Sequence, residues 1–341
     1  MHEASPSNIV SLPLLAAARA ASAPALGRFG ALYGGSPPMQ EMYLRIEKVA
    51  PTSATVLIVG ESGSGKEVVA RTIHDRSARG RAPFVAVNCG AIPGNLIEAE
   101  LFGYEKGAFT GAARMHRGCF ERAEGGTLFL DEVTEMAPEM QVRLLRVLET
   151  GRFTRVGGEE DLRASVRVIA ATNRDPRQAV SEGRLREDLM YRLEVFPIAL
   201  PPLREREGDA ELLAERFLAE LNEAEGTRKA FSRQAITTIR AHRWPGNVRE
   251  LKNAVQRAFI MAESEVTLDF AGLDRATPVG NCLRVPVGTP LAEIERKAIY
   301  ATLDLCEGNK RRCAGMLGVS LKTLYNRLAE YQSGDAEIAS V

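Results

Sequence analysis

The strongest constraint on the fold of this chain is a glycine-rich loop between an apolar run and a helical run. Residues 60–67 read GESGSGKE, follow the β-branched run Ala54–Val59 and open a helix that we place at about Gly65–Ser77. In this setting backbone N–H groups turn inward around phosphates, the helix N-terminus adds partial positive charge, and Lys66 adds a full charge. The pattern predicts a nucleotide-binding α/β domain; the alternative is a glycine-rich turn without a chemical role.

The residues predicted to hold the phosphates are Gly60, Glu61, Ser62, Gly63, Ser64, Gly65, Lys66 and Glu67. The last of these positions usually carries Ser or Thr, whose hydroxyl contacts Mg²⁺, and Glu67 lacks that group. The loop thus predicts ATP or GTP as ligand but no direct hydroxyl contact to the metal.

A second motif supplies the acids that nucleotide hydrolysis requires. Residues 127–132 read TLFLDE, an apolar strand followed by Asp131 and Glu132. At the end of a buried strand Asp131 can hold Mg²⁺, directly or through water, and Glu132 is placed to polarise an attacking water as a general base. Solvated acids after an ordinary core strand are the alternative. Beside the glycine-rich loop, the two acids favour a nucleotide hydrolase over a simple binder.

Alternation of strands and helices from Gly34 to about Leu200 predicts a parallel sheet covered by helices. Besides the two motifs above, strands are predicted at Phe84–Asn88, Thr127–Leu130 and Val166–Ala171, and helices at Pro138–Thr150, Asp175–Glu182, Asp209–Glu225, Ser232–Arg243 and Asn247–Ala262. No strand is expected after Pro202. We divide the chain into a flexible leader (1–33), an α/β subdomain (34–202), a helical subdomain (203–270), a linker (271–290), a helical C-terminal domain (291–332) and a tail (333–341).

Composition narrows the functional classes. The 341 residues are 45% hydrophobic, and 44 Lys and Arg balance 44 Asp and Glu. Zero net charge excludes a wholly basic nucleic-acid coat but permits a small basic module. The sequence contains no run of about 18 apolar residues, so we predict no membrane span. The five cysteines form no C-x-x-C pair, which favours a reducing, cytoplasmic location without a structural metal site.

The amino-acid composition of the segment Glu100–Ala112 is unusual. Its small residues cannot fill a core, and they surround one aromatic side chain. A nearly uncharged loop that presents Phe109 and Thr110 is typical of a contact with a partner protein. The alternative, a surface hairpin, would not ordinarily carry a phenylalanine at its tip.

Residues 107–112 read GAFTGA, and here the chain resembles the bacterial enhancer-binding proteins, the AAA+ ATPases that activate the sigma-54 form of RNA polymerase. The resemblance extends from about Tyr33 to Tyr331. It implies an AAA+ P-loop ATPase fold of the α/β class, with a parallel sheet, a small all-α lid domain and a C-terminal helix-turn-helix. The residues implied to contact sigma-54 are Gly107, Ala108, Phe109, Thr110, Gly111 and Ala112. An acid after the P-loop lysine is also the family's form, so Glu67 is no departure.

The resemblance also implies roles around the nucleotide. It makes Asp131 the magnesium ligand and Glu132 the catalytic base. Asn88 matches the asparagine that hydrogen-bonds this glutamate and links it to the GAFTGA loop. Thr172 and Asn173 look like the first sensor, which reads the γ-phosphate from the next strand.

Arg186 and Arg192 resemble the family's paired arginine fingers, which reach into the nucleotide site of a neighbouring subunit. A guanidinium donated in this way stabilises charge that spreads over the γ-phosphate. The local alternative is that Arg186 pairs with Glu187 or Asp188 on a surface helix.

Residues 244–251 read WPGNVREL and match the family's second sensor. Asn247 is expected to cap the following helix, and Glu250, three residues on, to return the contact. Arg249 would then lie in the first helical turn and face the nucleotide. A structural arginine beside Glu250 is the alternative.

Helical spacing predicts three helices at the C-terminal end. The first has an apolar face suited to packing or dimerising, formed by Leu291, Ile294, Ala298, Ala301 and Leu305. The second covers about Lys310–Leu317. After a turn at Gly318, Ser320 can cap a third helix that ends at about Tyr331. Its apolar stripe is Leu321, Leu324 and Leu328. Helix, glycine turn and helix form the layout of a helix-turn-helix.

Basic residues concentrate in this segment. Between Gly308 and Tyr331 the net charge is +4 in an otherwise neutral protein. The residues predicted to reach base edges or phosphates are Lys310, Arg311, Arg312, Lys322, Thr323, Asn326 and Arg327. A merely solvated helix face is the alternative, but the segment also resembles the Fis-type DNA-binding domain that ends proteins of this family.

Taken together, the motifs and the resemblance imply a transcriptional activator that binds upstream enhancer DNA. It would form a ring, a hexamer, with ATP and Mg²⁺ between subunits, and couple hydrolysis to remodelling of the sigma-54 RNA polymerase holoenzyme. A generic AAA+ protein remodeller and a DNA-binding regulator with nucleotide-controlled assembly are the alternatives. Because only about 33 residues precede the ATPase motifs, we expect a short form without an N-terminal sensory domain, active when made or restrained by a separate regulatory protein.

Overall fold

The computed structural model describes residues 27–268, 288–306 and 308–338, and the chain divides into two compact units, residues 1–268 and 269–341. The strands are β1 (Arg28–Phe29), β2 (Leu32–Tyr33), β3 (Val56–Val59), β4 (Phe84–Asn88), β5 (Thr127–Asp131), β6 (Arg152–Phe153), β7 (Leu162–Arg163), β8 (Arg167–Thr172), β9 (Phe196–Ala199), β10 (Ala230–Phe231) and β11 (Glu265–Val266). The helices of the first unit are α1 (Pro37–Val49), α2 (Lys66–Asp75), α3 (Gly94–Phe102), α4 (Cys119–Arg122), α5 (Pro138–Thr150), α6 (Pro176–Ser181), α7 (Glu187–Leu193), α8 (Asp209–Glu225), α9 (Arg233–Ala241) and α10 (Asn247–Met261). The second unit contains α11 (Leu291–Leu305), α12 (Lys310–Leu317) and α13 (Leu321–Ile338). None of these helices is both long and apolar enough to span a bilayer.

A five-stranded sheet in the order β4-β5-β8-β3-β9 forms the centre of the first unit. Its neighbouring strands are all parallel. Their carboxyl ends therefore meet at one edge of the sheet, which is where ligands bind in folds of this kind. The loop after β3 and the ends of β4, β5 and β8 carry the residues predicted to bind and hydrolyse a nucleotide.

Alternate residues of β3 enter opposite layers of the core. Val56 and Ile58 pack with the β1–β2 hairpin, α1 and α2, whereas Leu57 packs with α3, α5 and α7. A strand that is buried on both faces must be apolar throughout, which explains why its sequence shows no alternation.

The structure contains the predicted strands and helices of this unit, with some changes at their ends. β4 and α5 have the predicted bounds, while β3 begins two residues later than expected. The sequence did not predict α1, α3 or the edge strand β9. It was also wrong to exclude strands after Pro202, because β10 and β11 pair there in parallel.

The predicted leader extends too far along the chain. Residues 1–26 lie outside the described residues, but β1 and β2 pair as an antiparallel hairpin. Phe29 is 2% exposed and stacks on Tyr43 with ring centroids 4.7 Å apart. The guanidinium of Arg76 lies 3.8 Å from the centroid of the Phe29 ring. The hairpin is therefore part of the core, although its small and polar neighbours in sequence conceal it.

In the second unit α11, α12 and α13 surround a small core that includes Ile299, Cys313 and Leu324. Asn309 Oδ1 accepts a hydrogen bond from the Arg312 amide, and Ser320 Oγ accepts one from the Thr323 amide, so both later helices begin at capped ends. The expected tail is wrong over residues 333–338, because α13 continues to Ile338. Residues 271–287 of the expected linker (271–290) and residues 339–341 lie outside the described residues.

The apolar face predicted for the first helix of this unit is only partly packed on the core. Leu291 is 83% exposed and Ala301 and Leu305 are also exposed, whereas Ile294 and Ala298 are half-buried. Leu321 is exposed as well, so the buried stripe of α13 is formed by its later leucines.

We expect Phe29→Ala to lower the free energy of unfolding of the first unit by about 3 kcal/mol, because the substitution empties a filled core position. The measurement is urea denaturation followed by circular dichroism. Leu44→Ala is the control, since Leu44 lies on α1 with 49% of its surface exposed and should change stability by less than about 0.5 kcal/mol. Equal effects of the two substitutions would contradict the packing of the hairpin.

Candidate active site

The glycine-rich loop has the backbone shape of an anion-binding site. It joins β3 to α2 at the carboxyl edge of the sheet, and Gly63 and Gly65 have φ angles of +74° and +107°. Such left-handed conformations favour glycine and allow successive N–H groups to point into one concavity. Ser64 Oγ donates to the Glu61 carbonyl over 2.7 Å, which closes the turn. Glu67 lies exposed in the first turn of α2.

Lys66 is buried at the start of α2, and its Nζ donates to the carbonyl oxygens of Gly60 (2.9 Å) and Glu61 (3.3 Å). Burial lowers the pKa of Lys66, while the charges of Asp131 and Glu132 act in the opposite direction. The ammonium group therefore lies against the loop and within the field of both predicted catalytic acids.

The two acids are held at the end of β5 by an unusual backbone. Asp131 Oδ1 accepts a hydrogen bond from the Glu132 amide (3.0 Å), and Glu132 has a φ of +54°. A left-handed conformation is uncommon for glutamate, and such residues cluster at active sites. A Cβ atom at Gly90 would lie 2.6 Å from Glu132 Oε2, so the missing side chain at Gly90 makes room for this carboxylate.

Asn88 does not make the contact that was expected of it. It is the register partner of Asp131, and its Oδ1 accepts hydrogen bonds from the amides of Gly90 and Ala91, both at 2.9 Å. Within residues 27–268 no hydrogen bond joins its side chain to Glu132. Asn88 instead fixes the turn that places Gly90 beside the glutamate.

The residues predicted as the first sensor have different surroundings. Thr172 is buried at the end of β8, where its hydroxyl is hydrogen-bonded to that of Thr134 (3.2 Å) and accepts a bond from the Arg174 amide. Asn173 is exposed and lines a 470 Å³ cavity with Glu132. It also lines a 530 Å³ cavity that lies between the P-loop and α10. Of the two residues predicted as the first sensor, Asn173 is thus the one that faces the cavities.

On the lid side, Arg249 faces the nucleotide loop as predicted by the motif, and its Nη1 donates to Ser62 Oγ (3.1 Å). Glu250 returns a contact to the start of the helix, but its Oε2 accepts the bond from the Gly246 amide (2.7 Å) and not from Asn247, as was expected. The expected cap by Asn247 is wrong. Gly246 is the N-cap residue, and Asn247 adopts a φ of +54° that turns its buried side chain toward the P-loop.

The two arginines predicted as fingers bind groups of their own chain. Arg186 precedes α7 and forms an ion pair with Asp188 (Nη2–Oδ2 2.7 Å), which is the local alternative raised by the sequence. Arg192 donates to the Leu148 carbonyl from Nε (3.2 Å) and Nη2 (2.7 Å). Both side chains are exposed, so a neighbouring subunit could reach them.

The GAFTGA loop projects from a rigid base. Its ends are joined by a hydrogen bond from the Gly107 amide to the Ala112 carbonyl (2.8 Å), and Phe109 remains 43% exposed at the tip beside Thr110. Arg155 braces the segment before the loop by ion pairs with Glu105 (2.6 Å) and Glu121 (2.7 Å).

Sequence reasoning missed Arg155, because its two partners are 34 and 50 residues away and no local spacing relates them.

The residues predicted to contact DNA lie on α12 and α13. Arg311, Arg312, Lys322, Thr323 and Asn326 are exposed. Lys310 lies with its Nζ 4.7 Å from the centroid of the Tyr325 ring, a half-exposed aromatic that the sequence did not single out. Arg327 forms ion pairs with Glu295 and Glu330, each at 3.1 Å, so its charge is engaged within the unit.

Comparison with known protein families covers most of the chain. The family model of the sigma-54 interaction domain matches residues 32–199, that of the AAA+ ATPase lid domain matches residues 204–277, and that of the bacterial regulatory protein Fis family matches residues 290–331. The chain belongs to the sigma-54-dependent enhancer-binding proteins. Its first unit is an AAA+ ATPase domain, and its second unit carries a Fis-type helix-turn-helix.

Several known proteins are similar to most of this chain. The transcriptional regulatory protein FlbD of Caulobacter vibrioides is 44% identical over 322 residues, which cover 89% of this chain and 70% of FlbD. The Nif-specific regulatory protein of Azotobacter vinelandii is 43% identical, and the match covers 89% of this chain but only 59% of that protein. A crystal structure of NtrX from Brucella abortus in complex with ATP has a TM-score of 0.66 and 34% identity, covering 93% of this chain and 72% of NtrX. The chain thus spans 59% to 72% of the length of these three proteins.

We expect Glu132→Gln to slow ATP hydrolysis by at least about 100-fold without weakening ADP binding, because the amide cannot accept a proton from water. Steady-state phosphate release and calorimetric titration with ADP measure the two effects. Glu139→Gln, an exposed acid in the first turn of α5, is the control and should retain hydrolysis. Normal turnover by Glu132→Gln would remove Glu132 from the role of general base.

Proposed function

We propose that this enhancer-binding protein hydrolyses ATP at the carboxyl edge of the five-stranded sheet and thereby moves the GAFTGA loop against sigma-54 RNA polymerase. We also propose that it binds upstream DNA through α12 and α13. The observation that supports this most directly is the loop itself. Phe109 and Thr110 are exposed on a braced base within the same unit as the P-loop. An exposed apolar tip on a fixed base is suited to engage a partner protein.

Catalysis would rest on three side chains around the phosphates. Lys66 would bind the β- and γ-phosphates, Glu132 would orient and deprotonate the attacking water, and Asn173 would read the γ-phosphate from the facing cavity wall. The half-buried carboxylate of Asp131 at the end of β5 fits Mg²⁺, because this ion prefers oxygen ligands. Magnesium bound there would supply positive charge to the phosphates.

A route from the catalytic base to the loop follows from the contacts around Asn88. Glu132 lies against Gly90, and Asn88 fixes the turn that contains Gly90. The next helix, α3, runs from Gly94 to Phe102 and leads directly into the loop. A displacement of Glu132 on loss of the γ-phosphate would therefore shift the turn, α3 and the loop base in sequence.

In a ring, which we propose to be a hexamer, the neighbouring subunit would supply Arg186 and Arg192, which bind other groups within their own chain. The 470 Å³ cavity beside Glu132 is open, is lined by Glu135 and Arg174, and lies where a neighbour's guanidinium could approach the γ-phosphate. Arg186 is exposed and could exchange Asp188 for this site.

We expect complementation between two inactive variants. Lys66→Ala removes phosphate binding but keeps the fingers, whereas Arg186→Ala keeps the P-loop and removes one finger. Each alone should lose at least about 1,000-fold in ATP hydrolysis. Their mixture should regain activity, because some interfaces combine an intact P-loop with an intact finger. Phosphate release at high protein concentration is the measurement.

The control for this experiment is Asp188→Asn, which releases Arg186 from its ion pair and should leave hydrolysis intact. Full ATP hydrolysis by Arg186→Ala alone would contradict the finger role and would leave Arg186 as a surface residue that only pairs with Asp188.

We expect Thr110→Ala to retain ATP hydrolysis and lose transcription activation, because the substitution alters only the exposed loop tip. The test is in vitro transcription from a sigma-54 promoter with purified protein, polymerase and ATP. Activation by the wild type alone supports the loop as the polymerase contact.

Two other outcomes point to the alternatives. Hydrolysis by the wild type without activation favours a remodeller of another protein or the need for a separate regulatory partner. Activation that persists in Glu132→Gln would favour a DNA-binding regulator in which nucleotide only controls assembly.

A further inference from the structure

Four consecutive residues of the P-loop are held from the lid side. Arg204 donates to both carboxylate oxygens of Glu61, at 2.9 and 2.7 Å. Asn247 Nδ2 donates to the Ser62 carbonyl (3.1 Å), and the Arg249 amide donates to the Gly63 carbonyl (3.2 Å). Arg206 Nη2 completes the set with a bond to the Ser64 carbonyl (3.2 Å).

The lid donates these hydrogen bonds to acceptor groups of the P-loop, and this direction affects how the loop can bind phosphate. The lid satisfies the carbonyl oxygens of residues 62, 63 and 64, which are the groups that would repel an anion. With the carbonyls held outward, the N–H groups of Gly63 and Gly65 can turn into the concavity, whereas the Ser64 N–H donates to the Glu61 carbonyl (3.3 Å). These bonds from the lid thereby preset the shape that binds phosphate.

Asn247 is the central member of this arrangement. It is 0% exposed and has the left-handed φ of +54°, which is uncommon outside glycine but tolerated by asparagine. Its Oδ1 accepts a bond from the Leu203 amide (2.8 Å), and its Nδ2 also donates to Glu61 Oε2 (3.0 Å). One buried amide thus joins the first turn of α10, the connection after β9 and the P-loop.

The backbones are also in close contact at this point. A Cβ atom at Gly63 would lie 2.5 Å from the Gly246 carbonyl oxygen. With no side chain between them, a shift of the α10 N-terminus is passed directly to the loop. Lid and P-loop are therefore in one rigid contact rather than separated by a flexible layer.

We propose that Asn247 is a positioning residue that makes the phosphate affinity of the P-loop depend on the position of the lid. The proposal rests on nucleotide binding by this loop and adds that the lid sets the loop's shape through one buried amide. Because Asn247 bonds to the loop, its effect should fall mainly on the β- and γ-phosphates, which the loop would surround, and less on the rest of the nucleotide.

The test compares ADP with AMP, which lacks the β-phosphate, in calorimetric titrations of the full chain. Asn247→Ala should weaken ADP binding roughly tenfold, since two or three buried hydrogen bonds are lost, and leave AMP binding unchanged. Asn247→Gly should act in the same way, because glycine keeps the left-handed backbone and removes only the side chain. Gln256→Ala, an exposed amide on the same helix, is the matched control.

A charge-rescue pair tests the contact with Glu61 itself. Asn247→Asp places a second carboxylate beside Glu61 Oε2 and should weaken ADP binding more than alanine does. Glu61→Gln in the same chain restores a donor opposite the new acid and should recover at least part of the affinity.

The outcomes separate this inference from the function on which it rests. A wild-type chain that binds no ADP would refute nucleotide binding itself. ADP binding that is unchanged in Asn247→Ala, or AMP binding weakened as much as ADP binding, would overturn the positioning role, the second by showing a general disturbance of the lid. Circular dichroism melting of each variant distinguishes that disturbance from unfolding.

Discussion

The burial of β3 on both faces and its pairing on both edges is the constraint on which the site depends. Val56–Val59 bonds to β8 on one side and β9 on the other, and its side chains fill two core layers. Its carboxyl end therefore cannot move independently of the sheet. The P-loop begins at this fixed point, and the two acids predicted to be catalytic follow at the equally fixed end of β5. The distance between phosphate cradle and base is thus set by the sheet register.

The parts that must respond to nucleotide lie beyond this edge and are built differently. Glu132 has a left-handed backbone, the GAFTGA loop carries few large side chains, and the lid meets the P-loop through hydrogen bonds more than through apolar packing. Polar contacts of this kind are directional and are exchanged at small cost when partners move together. The molecule therefore combines an apolar, immobile frame with a polar periphery in which small displacements can be transmitted.

How far the sequence predicted this site depends on the distance over which each contact is made. The P-loop and the Asp131–Glu132 pair were predictable because their chemistry lies within a few consecutive residues after an apolar strand. Arg155 was not, since its acids lie 34 and 50 residues away. Asn247 was read as a helix cap by local rules, whereas its actual partners include Ser62, 185 residues away. The β1–β2 hairpin escaped prediction because only two buried side chains mark it among small and polar neighbours.

The close approach of Gly63 to Gly246 has a consequence for how this sequence can vary. A single added methyl group at Gly63 would meet the Gly246 carbonyl at 2.5 Å and would act as a wedge between loop and lid. Substitution at Gly63 would therefore not have a graded effect, as it has at most surface positions, but would pass in one step from contact to separation. This position offers protein engineers a place to fix the lid away from the loop with one methyl group, leaving every polar group of the active site in its original chemical form.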